Sequence, residues 1–176
     1  MCSSDLKGPD ILLRTLARLR TRIPELYVLL SGPARGYVMA GLEQLAIPYR
    51  HVYVKDYSDV GQLYRALDLY VVTSRDEGGP KAVLESMATG VPLVTTRVGQ
   101  AMDLVEHEKN GWMVDVEDVE GLVHWSEFAL EHRTSLSPVV AAGRRTAEAH
   151  TYLAQLPQWR EFWRGFVDFP EREAGR

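Results

Sequence analysis

Residues 73–99, TSRDEGGPKAVLESMATGVPLVTTRVG, leave little choice of local architecture. The apolar, β-branched run leading into them, with Leu69, Val71 and Val72, reads as a buried strand. A polar loop with two glycines follows, and Pro80 suits the first turn of a helix, where a missing N–H is no loss. Val83, Leu84, Met87 and Ala88 then recur at helical spacing, and Gly90 predicts a left-handed cap. Residues 92–96 supply a second strand. Strand, helix and strand in this order make a βαβ crossover whose loop lies at the carboxyl end of a parallel strand. Open α/β sheets bind ligands there.

The polar residues of this unit give it chemistry. Glu77 lies in the loop and Glu85 eight positions later, in the helix. At a rise of about 1.5 Å per helical residue, the two stand roughly 10 Å apart along one edge of a cleft. Between them the helix start offers unpaired N–H groups and the positive end of its dipole, which suit phosphate. Two carboxylates flanking an anion site match a ligand with hydroxyls on both sides of a phosphate. A nucleotide sugar has that layout: ribose, diphosphate, hexose. Spacing alone also fits a solvated loop acid at Glu77 and a surface helix acid at Glu85.

The rest of the chain repeats the strand–helix rhythm. Ile11, Leu12, Thr15, Leu16, Leu19 and Ile23 mark one face of a first helix. Arg14, Arg18, Arg20 and Arg22 lie elsewhere around it, as a solvated face or a contact for anionic lipid or a partner. Strands are expected at 26–30, 51–54 and 112–114, and helices near 38–45, 63–67 and 101–106, with Asn110-Gly111 as a turn. From residue 118 the pattern is helical, at 119–131, 138–150 and 157–166. Trp159, Phe162, Trp163, Phe166 and Phe169 form an aromatic stripe expected to dock onto the sheet domain. The fold class is therefore α/β, a Rossmann-like doubly wound parallel sheet with a helical C-terminal segment. Residues 1–135 are expected to form the ligand-binding domain, and 136–176 helices that pack on it or reach beyond it.

Composition narrows the function classes. A net charge of −4 gives no basic field for nucleic acid. The single Cys2 cannot form an internal disulfide, which fits a reducing compartment. No run of about 18 apolar residues exists, and the first residues lack a signal peptide's apolar core, so a soluble, cytoplasmic protein is expected. There is no Asp-x-Asp pair. Asp115, Glu117 and Asp118 come closest, yet they precede a helix and read as its N-cap and first-turn acids. The five histidines show no zinc-ligand spacing, and no Walker loop or nucleophile elbow is present. No metal and no cofactor are expected.

Glu77 and Glu85, with seven residues between them inside EGGPKAVLESMATGVPLVTTRVG, resemble the E-x7-E signature of family 4-type retaining glycosyltransferases. In that family the signature lies in the C-terminal, nucleotide-sugar-binding domain of the GT-B fold. The resemblance spans nearly the whole chain. LKGPDILLRTLARL is similar to the family's Lys-Gly segment and following helix, LYVLLSGP to its second strand, and AMDLVEHEKNGWMVDVEDVEGL to its last βαβ turn.

The resemblance implies roles. Lys7 would neutralise the leaving diphosphate, Glu85 would accept hydrogen bonds from ribose, and Glu77 would hold the donor sugar's hydroxyls. Gly78, Gly79 and Pro80, with the amides of Lys81 and Ala82, would line sugar and phosphates. The Lys81 side chain would add positive charge near the phosphates. Tyr57 falls where the family contacts the base, and Gly32 would shape a neighbouring cleft wall. The substrate implied is a nucleoside-diphosphate hexose, with a saccharide or lipid-linked acceptor and no metal. The family usually has an aromatic where Gly79 stands and a proline where Thr73 stands. It also has a strand ending in Gly-Arg before the Lys-Gly segment. The expectation is a fragment lacking that central strand, its arginine and the acceptor-binding domain, and so inactive alone. A non-catalytic nucleotide-sugar-binding module and part of a GT-B sugar-nucleotide epimerase remain as alternatives.

Overall fold

The computed structural model of the chain describes residues 3–33, 35–79 and 81–167. Helices α1 (Ser3–Leu6) and α2 (Pro9–Arg22) precede strand β1 (Val28–Ser31). Helix α3 (Gly36–Gln44) leads to β2 (Tyr49–Val52), and a 3-10 turn at Tyr57–Asp59 runs into α4 (Val60–Arg65). Next come β3 (Tyr70–Val72), α5 (Lys81–Thr89) and β4 (Leu93–Thr96). The chain continues through α6 (Ala101–Leu104) and β5 (Trp112–Val114) into α7 (Val119–Glu131), α8 (Ser137–Ala149) and α9 (Tyr152–Val167).

All strand pairs are parallel, and hydrogen bonding divides the strands into two sheets. One is β1 with β2; the other has the order β3-β4-β5. Register runs Val28 to Tyr49 in the first, and Tyr70 to Leu93 and Val94 to Trp112 in the second. Side chains alternate across a strand, so β4 and β5 divide their apolar residues between two cores. Val94, Trp112 and Val114 face a core shared with Ile11, Leu19, Leu42, Leu122 and Val123 from α2, α3 and α7. Leu93 and Met113 face the opposite core, with Val83 and Met87 of α5 and Ala147 of α8. Helices on both faces are what a parallel crossover sheet requires. Leu30 of β1 shares the first core, which joins the two sheets beneath α2 and α3.

Several local expectations are met for the reasons that suggested them. Gly90 takes a φ of 78° and closes α5, with the Val91 amide donating to Ser86 at 2.9 Å. Asp118 caps α7, its Oδ1 accepting from the Gly121 amide at 2.8 Å. Others differ. Ala88 is exposed, and Ser86 takes the buried place on α5. Arg14, Arg18 and Arg22 are not a free basic face: they pair with Glu117 just before α7 and with Glu120 and Glu127 on it. These pairs are roughly half exposed, so each is worth at most about 1 kcal/mol and chiefly sets how α2 lies beside α7.

The aromatic stripe does not dock onto the sheet domain. Trp159, Phe162, Trp163 and Phe166 are 50–62% exposed, and α9 touches the rest of the molecule mainly through α8. Pro157 lies inside α9 rather than at its start. Phe169 falls outside the described residues.

Two contacts pin the first helices to the loop after β3. Gly8, with a φ of 58°, caps α2, and a Cβ there would stand 2.0 Å from the Thr73 carbonyl oxygen. Arg75 forks onto Asp10, with both nitrogen–oxygen distances at 2.7 Å, and also meets Glu117 at 2.5 Å. Hydrogen bonding from Arg75 holds the Asp10 carboxyl below its ordinary value of 3.8, against a smaller opposing effect of burial.

Gly8→Ala combines a left-handed backbone with a collision, and should cost about 2 kcal/mol in urea unfolding. Gly78→Ala, whose added carbon meets nothing within 4 Å, should leave stability unchanged. Asp10 is depressed in the folded state. Its pair therefore contributes fully above the ordinary value of 3.8 and is lost as pH falls through the lowered one. Asp10→Asn should accordingly flatten the acid limb of stability against pH below that value, read by thermal melts. An unchanged acid limb would contradict the pairing.

Candidate functional site

Thr73 directly follows β3 and closes the first part of the site. Its Oγ1 donates to the carbonyls of Lys7 at 3.2 Å and Gly8 at 3.0 Å, and the Arg75 amide donates to the Leu6 carbonyl at 2.7 Å. A proline at 73 could not make the hydroxyl bonds. From the other side, Thr96 Oγ1 donates to the Ser74 carbonyl at 2.6 Å. The loop is thus clasped between the N-terminal turn and the end of β4. This brings Lys7 Nζ onto Glu77 Oε1, where Ser74 Oγ also donates at 2.8 Å. The Glu77 side chain is 13% exposed and that of Lys7 57% exposed. The carboxylate is therefore fixed, while the ammonium keeps one side open to a ligand.

The glycine loop beyond Glu77 rests on the turn before α6. Gly99, at a φ of 44°, passes so close that a Cβ would stand 1.8 Å from the Glu77 carbonyl oxygen. The Gln100 amide donates to the Gly78 carbonyl at 3.2 Å. Gly78 and Gly79 are exposed above this support, Lys81 is exposed at the first residue of α5, and Ala82 is half-buried. Pro80 lies outside the described residues. A cation at the start of α5 adds to the positive end of the helix dipole, which favours a negatively charged neighbour.

Glu85 sits in the middle of α5 and receives two phenols. Tyr57 donates to Oε1 at 2.5 Å and Tyr64, from α4, to Oε2 at 3.0 Å. The Tyr64 ring tilts against that of Tyr70, centroids 5.0 Å apart. Burial, then the neighbouring Tyr70 and Glu85, push the Tyr64 phenol well above its ordinary range. Tyr70 is also pushed up, chiefly by burial; its hydrogen bond with Tyr64 and then the Arg35 charge oppose this, and Glu85 and Glu77 add to it. Both carboxylates and Arg35 thus act on one half-buried ring. Gly32 follows β1 at a φ of 88°; its carbonyl meets His51 Nε2 at 2.8 Å, and Arg35 Nε donates to the Ser31 carbonyl at 2.8 Å.

The structure therefore gathers Lys7 with Glu77, and Tyr57 with Glu85, at the two ends of one loop–helix unit. Sequence reasoning missed Ser74, Tyr64, Tyr70, Arg35 and Gly99. Only Tyr64 left a signal, since a tyrosine on the buried face of a helix needs a partner for its hydroxyl. An open hollow of about 540 Å³, lined by Leu29, Val52, Tyr53, Lys55 and Leu63 among others, lies beside the β1–β2 sheet and includes neither carboxylate.

Comparison with known proteins gives a family and a fold. The family described as "Glycosyl transferases group 1" matches residues 1–131. The lipopolysaccharide core biosynthesis mannosyltransferase LpsB of Rhizobium meliloti is 30% identical over 146 residues, covering 78% of this chain and 42% of that protein. A D-inositol 3-phosphate glycosyltransferase of Saccharomonospora viridis is 34% identical over 180 aligned positions, covering 93% of this chain and 39% of that one. Anabaena Alr3699/HepE, solved in complex with UDP-glucose, superposes with a TM-score of 0.78 at 23% identity, covering 92% of this chain and 46% of that one. A glycosyltransferase from Rickettsia africae gives a TM-score of 0.81 at 19% identity, covering 93% and 45%. The chain spans less than half the length of each of these four proteins. The structural likenesses show a Rossmann-like α/β fold of the GT-B type. By the match over residues 1–131, the chain belongs to the glycosyl transferases group 1 family.

Proposed function

We propose that this chain is the donor-binding half of a retaining glycosyltransferase, one that moves a hexose from a nucleoside diphosphate to a saccharide or lipid-linked hydroxyl. The observation that carries the reading is the pair of carboxylates on the β3–α5 unit, each held by its own donors. Glu77 has Ser74 and Lys7; Glu85 has Tyr57 and Tyr64. In this reading Glu85 accepts from ribose hydroxyls and Glu77 from sugar hydroxyls. Exposed Gly78 and Gly79, together with Pro80 and the amides of Lys81 and Ala82, line the sugar and diphosphate between them. Tyr57 and Gly32 border the nucleoside side.

Lys7 has the chemistry for the leaving group. As the bond from the sugar's anomeric carbon to the diphosphate oxygen breaks, negative charge grows on that oxygen, and an ammonium beside it lowers the barrier. The acceptor oxygen bonds to the anomeric carbon on the same face, and its proton passes to the departing phosphate. Configuration is retained, and the step uses no protein nucleophile, metal or cofactor. The acceptor is bound by a further domain, so residues 1–135 act as donor domain, α8 packs on it while α9 reaches toward that partner, and this chain alone turns over little. The intramolecular pairing of Arg14, Arg18 and Arg22 lends no support to a peripheral membrane contact through α2.

Calorimetric titration with UDP, GDP and ADP tests the reading. One of them should bind selectively, and Glu85→Ala should weaken it at least about tenfold, the effect of losing hydrogen bonds to a charged acceptor. Equal binding by the folded variant, or no binding by the folded wild-type chain, would sink the donor-site assignment.

A further inference from the structure

Glu85 is not an open acceptor. Both of its oxygens are taken by phenols, and the two phenols stand in opposite surroundings. Tyr64 is 6% exposed, comes from α4 where it packs against α5, and lies against the Tyr70 ring. With so little of the residue exposed, water replaces a bond lost from Glu85 poorly, and the Tyr70 hydroxyl is the other polar group beside it. Tyr57 is 70% exposed, in a 3-10 turn whose preceding Asp56 accepts from the Ser58 amide at 2.9 Å. On leaving Glu85, the Tyr57 hydroxyl would meet solvent at once, and its bond to the carboxylate would be replaced by bonds to water.

We propose that Tyr64 is a positioning residue that aims the Glu85 carboxylate, and that Tyr57 is a displaceable placeholder on the oxygen a ribose hydroxyl takes. The proposal rests on the reading of Glu85 as the ribose acceptor and adds a competition to it. Free Glu85 is kept satisfied by Tyr57, and ligand binding exchanges one hydroxyl for another. The two tyrosines should then affect binding with opposite signs, although both donate to the same side chain. Tyr57 opposes the ligand because its bond must break. Tyr64 favours the ligand because it restricts the carboxylate to one orientation. The two effects should also depend on the sugar, since only a ligand with both ribose hydroxyls makes full use of an aimed carboxylate.

Dissociation constants for UDP, GDP and ADP and their 2′-deoxy counterparts, measured on the wild-type chain, Tyr57→Phe, Tyr64→Phe and Glu85→Ala, decide the matter. Tyr57→Phe should tighten the ribonucleotide by about two- to fivefold, the range of exposed contacts to charge. Tyr64→Phe should weaken it roughly tenfold while changing the 2′-deoxy form little, so that discrimination between the two collapses. A purely structural role for Tyr64 would weaken both forms alike and would overturn its half of the proposal. Unchanged or weaker binding by Tyr57→Phe would overturn the other half. Failure of the underlying reading looks different: the wild-type chain binds no ribonucleotide, or Glu85→Ala binds as well as wild type, and the proposal falls with it.

Discussion

Thr73, the residue after β3, has a hydroxyl that donates to two successive carbonyls, those of Lys7 and Gly8, and a backbone oxygen that leaves no room for a side chain on Gly8. Everything at the Glu77 end of the candidate site depends on this clasp. It fixes where α2 begins, and so where Asp10 meets Arg75. It also carries Lys7 to the mouth of the loop holding Glu77, 70 positions away in the chain. A buried hydroxyl with two acceptors and a glycine in the left-handed region are each modest interactions. Together they bring an N-terminal turn into the candidate site, with Lys7 on Glu77.

The second support is the two-sided packing of the β3-β4-β5 sheet. Because β4 sends Leu93 to one core and Val94 to the other, both faces are covered and the strand ends are held rigidly. Helix α5 is gripped between β4, α4 and α8, so Glu85 projects from a fixed element rather than a loop. The gripping helix α4 also supplies Tyr64. Packing and chemistry are coupled here through one side chain that has its ring in contact with Tyr70 and its hydroxyl at the site.

Charge is arranged with similar locality. Arg14, Arg18 and Arg22 of α2 are taken by Glu117 just before α7 and by Glu120 and Glu127 on it, and Arg75 by Asp10 and Glu117. Lys7 at the loop mouth and Lys81 at the start of α5 remain exposed, both beside the region proposed for the diphosphate. A long arginine satisfied within the fold no longer contributes freely to binding a partner, which is why a count of basic residues in α2 misleads.

The sequence by itself determined the order of strands and helices, the two faces of the central crossover, the caps at Gly90 and Asp118, and the placement of Glu77 and Glu85 around the start of α5. These follow from residue period and turn chemistry, which act between near neighbours. Only the tertiary structure decided what each carboxylate touches. Ser74 and Lys7 meet at Glu77, and Tyr57 and Tyr64 meet at Glu85, because separate elements pack side by side, and no local pattern encodes that proximity. The same reason governs α9, whose period is plainly amphipathic but whose apolar side finds no surface among the described residues. A period tells which side of a helix seeks burial, and only packing tells whether anything covers it.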